Sequence, residues 1–135
     1  MATVGLANMA RGILVWLLIM LAETVHGVLR GLFLAPHVGE EMASRIGWPV
    51  GLLIVLIVST LAIRWTRVRG TRPLILLGIL WAVLTFAFEV LIAKLRGLGP
   101  AEIMAEIDPA TGLMLYSLAA MLVMPLVAAR LRNVR

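Results

Sequence analysis

Four long apolar segments dominate the pattern of hydrophobic and polar positions along the chain. They cover roughly residues 12–35, 48–65, 73–94 and 109–130. A helix needs ~20 residues, at ~1.5 Å per residue, to cross the ~30 Å hydrocarbon core of a bilayer. The second segment is shorter, but Trp48 and Trp65 stand at its two ends, where tryptophan anchors a helix at the membrane interface. The pattern therefore predicts an all-α fold, an integral membrane bundle of four transmembrane helices that forms a single membrane domain.

The composition supports a membrane protein. Of the 135 residues, 62% are hydrophobic and 14% are charged, which is far from the balance of soluble globular proteins. The chain has no cysteine, which excludes thiolate catalysis and cysteine-bound metal centres. Four spans leave few residues for a soluble catalytic domain.

The arginines predict the orientation of the chain. Eight of them lie before span one, between spans two and three, or after span four: Arg11, Arg64, Arg67, Arg69, Arg72, Arg130, Arg132 and Arg135. The other two links hold Arg45, Lys94 and Arg96 beside most of the acidic residues. Because basic residues stay on the cytoplasmic side, we expect a multi-pass protein of a bacterial-type inner membrane with both termini cytoplasmic. The same sorting favours contact with the lipid bilayer over a nucleic-acid partner.

The two outer links differ in their predicted structure. The first, Pro36–Pro49, is predicted to be a loop, because Pro36 should end the helix of span one. The second contains the stretch GPAEIMAEIDP, in which apolar and acidic residues alternate at helical spacing. This predicts a short amphipathic helix that lies flat on the outer surface. Asp108 and Pro109 should then begin span four.

The first span also resembles a secretory signal peptide, since Arg11 precedes its apolar stretch. A cleaved form would keep three spans with the same loop orientation.

Span one carries three ionisable residues on one face. Glu23, His26 and Arg30 recur at helical spacing, together with Gly27 and Gly31. Counted from Gly12, Glu23 lies ~16 Å into the membrane. A charge at mid-bilayer costs at least ~2.5 kcal/mol, so this face should point into protein or water and not at lipid.

The third span offers a partner for this face. Counted from Pro73, Glu89 lies ~24 Å into the membrane, close to the depth of Arg30, which predicts an ion pair between them. We expect a polar pocket between spans one and three, lined also by Ser59, Thr85, Tyr116 and Ser117. The Gly27-x-x-x-Gly31 spacing permits close helix approach, by another helix of the chain or by a second copy. A homodimer or a larger membrane complex is expected.

These residues favour a transporter or channel-like protein in which Glu23 exchanges a proton or binds a cationic small molecule or ion. One alternative is a membrane-embedded enzyme or metal protein, since Glu23 and His26 form an E-x-x-H pair and a metal could bind Glu23, His26 and Glu89. No cofactor and no metal are expected on the leading interpretation. A further alternative is an accessory subunit of a membrane complex, whose buried polar groups only specify packing.

The size, the four spans and the glutamate of span one are similar to those of small multidrug resistance exporters. The E-x-x-H-x-x-x-R pattern, the long first outer link and the predicted surface helix depart from that family. The sequence is therefore not assigned to it.

Overall fold

The computed structural model describes residues 5–108, 110 and 112–134, and all regular structure in those residues is helical. Helix α1 covers Leu6–Leu29 and continues through a π-helical turn, Arg30–Leu34, into α2, Ala35–Val38. The remaining helices are α3 (Glu40–Thr66), α4 (Thr71–Leu95), α5 (Pro100–Ile107) and α6 (Met114–Leu131). Four segments are long and apolar enough to cross a membrane: Leu6–Val38, Glu40–Thr66, Thr71–Leu95 and Met114–Leu131. The prediction of an all-helical chain with four such helices is confirmed.

The predicted stop of the first helix at Pro36 is wrong. Proline cannot donate to the carbonyl four residues earlier, and an ordinary α-helix would be disrupted there. The π-helical turn before Pro36 changes the hydrogen-bond register, with the backbone N–H of Ala35 donating to Arg30. The helix consequently continues to Val38, and Gly39, at φ 85°, forms the turn into α3. The predicted outer loop Pro36–Pro49 is therefore mostly helix.

The second predicted outer link contains helix α5. Pro100 opens this helix, and the carboxylate of Glu102 accepts a 3.3 Å hydrogen bond from the backbone N–H of Gly99. Pro109, where we expected span four to begin, lies outside the described residues. The helix of span four begins at Met114.

The four long helices form a ring in the order α1, α3, α6, α4. The contacts of α4 with α6, of α1 with α3, and of α3 with α6 are extensive, whereas α1 and α4 touch over a short length. At one end of the ring, Asn8 donates to the carbonyl oxygen of Arg67, and Arg64 donates to that of Arg132. We call this the arginine-rich end. Of the eight arginines predicted to be cytoplasmic, the seven that the structure describes lie there: Arg11, Arg64, Arg67, Arg69, Arg72, Arg130 and Arg132.

Three indole N–H groups join the first helical hairpin to the second. Trp16 donates to Thr85 Oγ1 at 2.9 Å, Trp81 to the Gly12 carbonyl at 3.0 Å, and Trp48 to Ser117 Oγ at 2.9 Å. In each pair the two residues are 69 positions apart. Helix α1 therefore lies parallel to α4, and α3 parallel to α6, with a common offset in register.

The core lies between the level of Ile19 and the arginine-rich end. The largest fully buried side chains are Ile19, Ser59, Ile63, Thr66, Leu77, Trp81 and Pro125. Gly78 allows α4 and α6 to approach closely, because a Cβ there would overlap the backbone carbonyl of Leu122. Glu23 lies one helical turn beyond Ile19, on the side away from this core.

Candidate polar layer between the first two spans

Glu23 lies near the middle of the continuous helix Leu6–Val38 and faces helix α3. Its carboxylate lies so close to Gly51 that a Cβ added there would be 2.9 Å from Oε2. Within the described part of the chain, the buried Oε1 has no hydrogen-bond partner. An unpaired buried carboxylate oxygen is unfavourable, so this is a position at which a proton or another cation would be stabilised.

His26 and Arg30 lie on the same side of the helix, one and two turns further along. His26 Nε2–H donates a 3.0 Å hydrogen bond to the carbonyl oxygen of Gly47, which requires the proton on that nitrogen. A Cβ at Gly47 would lie 2.7 Å from Arg30 Cδ and 3.4 Å from His26 Nε2. The three predicted side chains of span one therefore converge on one face of α3, and we call Glu23, His26, Arg30, Gly47 and Gly51 the polar layer.

The two glycines of α3 were missed in the sequence. Gly47-x-x-x-Gly51 has the same small-residue spacing as Gly27-x-x-x-Gly31 and could have been found by the same rule. The structure brings α1 against α3 at Gly47 and Gly51, where long polar side chains fill the space that a Cβ would occupy. A Cβ added at Gly31 would instead meet no atom within 4 Å, and one added at Gly27 would meet only the guanidinium of Arg30 at 4.0 Å. The Cβ positions of that pair therefore do not face a closely packed helix among the described residues.

Glu89 is exposed on α4 and does not pair with Arg30. Among the described residues the one ion pair joins Arg45 to Glu41, at 3.0 Å. The predicted Arg30–Glu89 pair is wrong because the depth count assumed that Gly12 and Pro73 lie in one plane, whereas Gly12 lies level with Trp81. The shared register places Glu89 level with Met20, and hence about 15 Å from Arg30 along the helix axis.

The charges still share one region of the bundle. In the shared register Glu89 lies level with Met20, about 4.5 Å from the level of Glu23 along the helix axis. The polar stripe of span one, however, packs on span two and not on span three as we expected. The contact between α1 and α4 is short, and it includes the aromatic pair Trp16 and Phe88 and the hydrogen bonds Trp16–Thr85 and Trp81–Gly12.

The predicted pocket-lining residues are spread over several levels. Ser59 is fully buried on the same stripe of α3 as Gly51, and its hydroxyl has no partner among the residues described. Thr85 accepts the Trp16 indole hydrogen bond, and Ser117 accepts that of Trp48. Tyr116 is half exposed on α6. The structure does not gather these four side chains around Glu23.

The described residues contain no ligand cluster for the alternative in which Glu23, His26 and Glu89 bind a metal. No group of three histidine, aspartate or glutamate side chains there is placed to hold a metal ion. His26 uses Nε2 for the bond to Gly47, and Glu89 lies on a different helix from the Glu23–His26 pair.

Comparison of the chain with protein families, with curated proteins and with solved structures finds no match. Four apolar helices are compatible with a small multi-pass membrane protein, and the polar layer has to be interpreted from its own chemistry.

Proposed function

We propose that the protein is a small carrier or channel-like protein of a bacterial-type inner membrane, in which Glu23 takes up and releases a proton or another cation. The observation that carries the proposal is the position of its carboxylate, between two membrane-spanning helices and with an unpartnered buried oxygen. Ionisable groups at this depth in a membrane protein are costly and are retained mainly for ion or substrate pathways.

The other members of the layer have defined roles in this proposal. His26 donates a hydrogen bond to the carbonyl oxygen of Gly47, which fixes its ring one turn from Glu23. There it relays the proton or forms a hydrogen bond with the bound group. Arg30 lies nearer the opposite end and attracts anionic groups there or limits the entry of cations. Glu89 contributes a second negative charge close to the level of Glu23.

The packed core on one side of Glu23 supports a carrier over an open pore. Trp16, Ile19, Leu77 and Trp81 close the bundle between Glu23 and the arginine-rich end. The hydrogen bonds and the aromatic contact between α1 and α4 lie on this same side of Glu23. A carrier exposes its site to one side at a time, and a bundle closed toward the arginine-rich end supports such a cycle over an open pore.

Orientation and assembly complete the proposal. The arginine-rich end faces the cytoplasm, α5 lies flat on the outer surface through its exposed Met104, and two copies associate in the membrane. The separation of the arginines from the acidic residues along the sequence supports this orientation, and the short helix at Pro100–Ile107 supports the place of α5.

The test compares three proteins reconstituted in liposomes with a trapped pH dye: wild type, Glu23→Gln, and Glu40→Gln as the matched control. Glu40 is an exposed carboxylate in the first turn of α3. An imposed sodium or potassium gradient should drive proton movement in wild type and Glu40→Gln and fail to do so in Glu23→Gln. Equal flux in all three, or none in any, contradicts the proposal.

An accessory subunit is the second candidate, favoured by the hydrogen bond that already satisfies His26. It predicts that Glu23→Gln changes the stability of the protein without changing proton movement.

If the protein were instead a membrane enzyme or metal protein that uses the same residues, the purified protein should contain stoichiometric metal, which elemental analysis would detect.

A further inference from the structure

The arginine-rich end carries positive charge that the chain itself cannot neutralise. All seven acidic residues lie elsewhere: Glu23, Glu40, Glu41, Glu89, Glu102, Glu106 and Asp108. No acidic side chain therefore lies beside these arginines in the sequence, and an anionic ligand would be stabilised there.

Two of these arginines, Arg11 and Arg64, form hydrogen bonds to backbone carbonyl oxygens near the last turn of α3, which contains Trp65. The guanidinium of Arg11 lies 5.5 Å from the centre of the Trp65 ring and donates a 3.3 Å hydrogen bond to the Trp65 carbonyl oxygen. The neighbouring Arg64 donates to the carbonyl oxygen of Arg132 at 2.6 Å. Arg11 thus joins α1 to the end of α3, and the adjacent Arg64 joins α3 to the end of α6, so each guanidinium already has one protein partner.

Each guanidinium keeps further donors for a ligand. An arginine has five N–H donors in a planar fork, and the bonds to Trp65 and Arg132 use a minority of them. Such a fork matches the oxygens of a phosphate group. Because the two side chains are already held, little conformational entropy is lost when a phosphate binds.

The surroundings of the two arginines indicate a lipid and not a soluble anion. Leu61, one turn before Trp65 on α3, is 67% exposed, and Leu131 at the end of α6 is 59% exposed. Trp65 itself is 50% exposed. Charged groups directly beside an exposed apolar belt, with tryptophan between them, occupy the depth at which lipid phosphates lie.

We propose that Arg11, Arg64 and Trp65 form a binding site for the headgroup of an anionic phospholipid, whose acyl chains lie along the exposed apolar side chains of α3 and α6. The two guanidinium groups bind the phosphate oxygens, and the indole packs at the headgroup level. The site does not depend on the transport proposal.

The experiment titrates the detergent-solubilised protein with phosphatidylglycerol and, in parallel, with phosphatidylcholine of the same chain length, and follows the bound lipid by native mass spectrometry. Four variants are compared with wild type. Arg11→Gln and Arg64→Gln change the site. Arg69→Gln removes a charge at the same end outside the site, and Arg45→Gln removes one at the opposite end.

Wild type should bind phosphatidylglycerol in preference to phosphatidylcholine. Arg11→Gln and Arg64→Gln should each weaken that binding about fivefold, which corresponds to the ~1 kcal/mol typical of one basic residue at an anionic surface. Arg69→Gln and Arg45→Gln should stay within about twofold of wild type. An Arg11→Lys variant should retain part of the affinity, because it keeps the charge but loses the fork.

Three results would overturn the proposal: equal binding of the two lipids, an equal loss in Arg69→Gln, or unchanged binding in both Arg11→Gln and Arg64→Gln. Soluble glycerol phosphate is included as a separate ligand. If it binds as tightly as the lipid, the site recognises a free phosphate and the assignment to a lipid is wrong.

Discussion

The indole N–H of Trp16 donates a 2.9 Å hydrogen bond to the hydroxyl of Thr85. Both side chains are buried, and the bond connects α1 to α4 directly below the polar layer. Phe88 packs edge-on against the same indole, at 6.1 Å between ring centroids. The pair is therefore part of the short contact between α1 and α4, on the arginine-rich side of Glu23.

Breaking this bond should destabilise the bundle. Thr85→Val keeps the shape of the side chain but leaves the buried indole N–H without its acceptor, which should lower the free energy of unfolding by ~1–2 kcal/mol. Trp16→Phe removes the donor and some packing. A double-mutant cycle, measured by denaturant titration in detergent, should give a coupling energy of ~1 kcal/mol. Strictly additive effects would show that the bond contributes nothing.

Substitution by alanine should destabilise the protein at Gly78 and have little effect at Gly31. A Cβ at Gly78 would overlap the backbone carbonyl of Leu122, which cannot rotate away as a side chain could. Gly78→Ala should therefore destabilise the protein by ~1–3 kcal/mol, the usual cost of overpacking. A Cβ at Gly31 meets nothing within 4 Å, so Gly31→Ala should stay within ~0.5 kcal/mol of wild type. Similar losses of stability would contradict the predicted packing, unless Gly31 contacts a second copy.

Gly51→Ala should disturb Glu23 without removing it. The new methyl group would lie 2.9 Å from Glu23 Oε2, so the carboxylate must move. If Glu23 exchanges protons as proposed, cation-driven proton movement in liposomes should fall several-fold. Gly31→Ala is the matched control and should retain the wild-type rate. Retention of the full rate in Gly51→Ala would show that the contact with α3 is not needed for transport.

The orientation can be measured by chemical labelling. Because the chain has no cysteine, one introduced thiol gives a signal without background. A membrane-impermeant maleimide should label Glu40→Cys in intact cells and Arg69→Cys only after permeabilisation, since basic residues stay on the cytoplasmic side. The reverse pattern would invert the proposed topology.

The sequence was sufficient to find the four long helices and the polar face of the first one. An apolar run of ~20 residues has few alternatives to a membrane-spanning helix, and helical periodicity decides which residues share a face. Glu23, His26 and Arg30 accordingly point to one neighbour in the structure, as their spacing required.

The identity of that neighbour could not be predicted, because it depends on how far each helix is shifted along its axis. The depth count placed Gly12 level with Pro73. In the structure Gly12 bonds to Trp81, eight residues further along α4, so the count misplaced Glu89 by eight residues. The hydrogen bonds Trp16–Thr85 and Trp81–Gly12 both have this shift, and no local pattern in the sequence reveals it. The continuation of the helix through Pro36 was missed for a related reason, since a π-helical turn has no distinct sequence signal.

The one-residue turn at Gly39 joins helical segments of 33 and 27 residues, whereas α6 has only 18. At ~1.5 Å per residue the first segment is ~50 Å long and the last ~27 Å, so one flank of the molecule exceeds the hydrocarbon thickness and the other falls slightly short of it. In a bilayer the two long segments would therefore tilt or extend beyond the hydrocarbon core, while the membrane would thin beside α6. Hydrophobic mismatch of this kind makes the distribution of a protein among membranes, and among regions of one membrane, depend on the thickness of the bilayer.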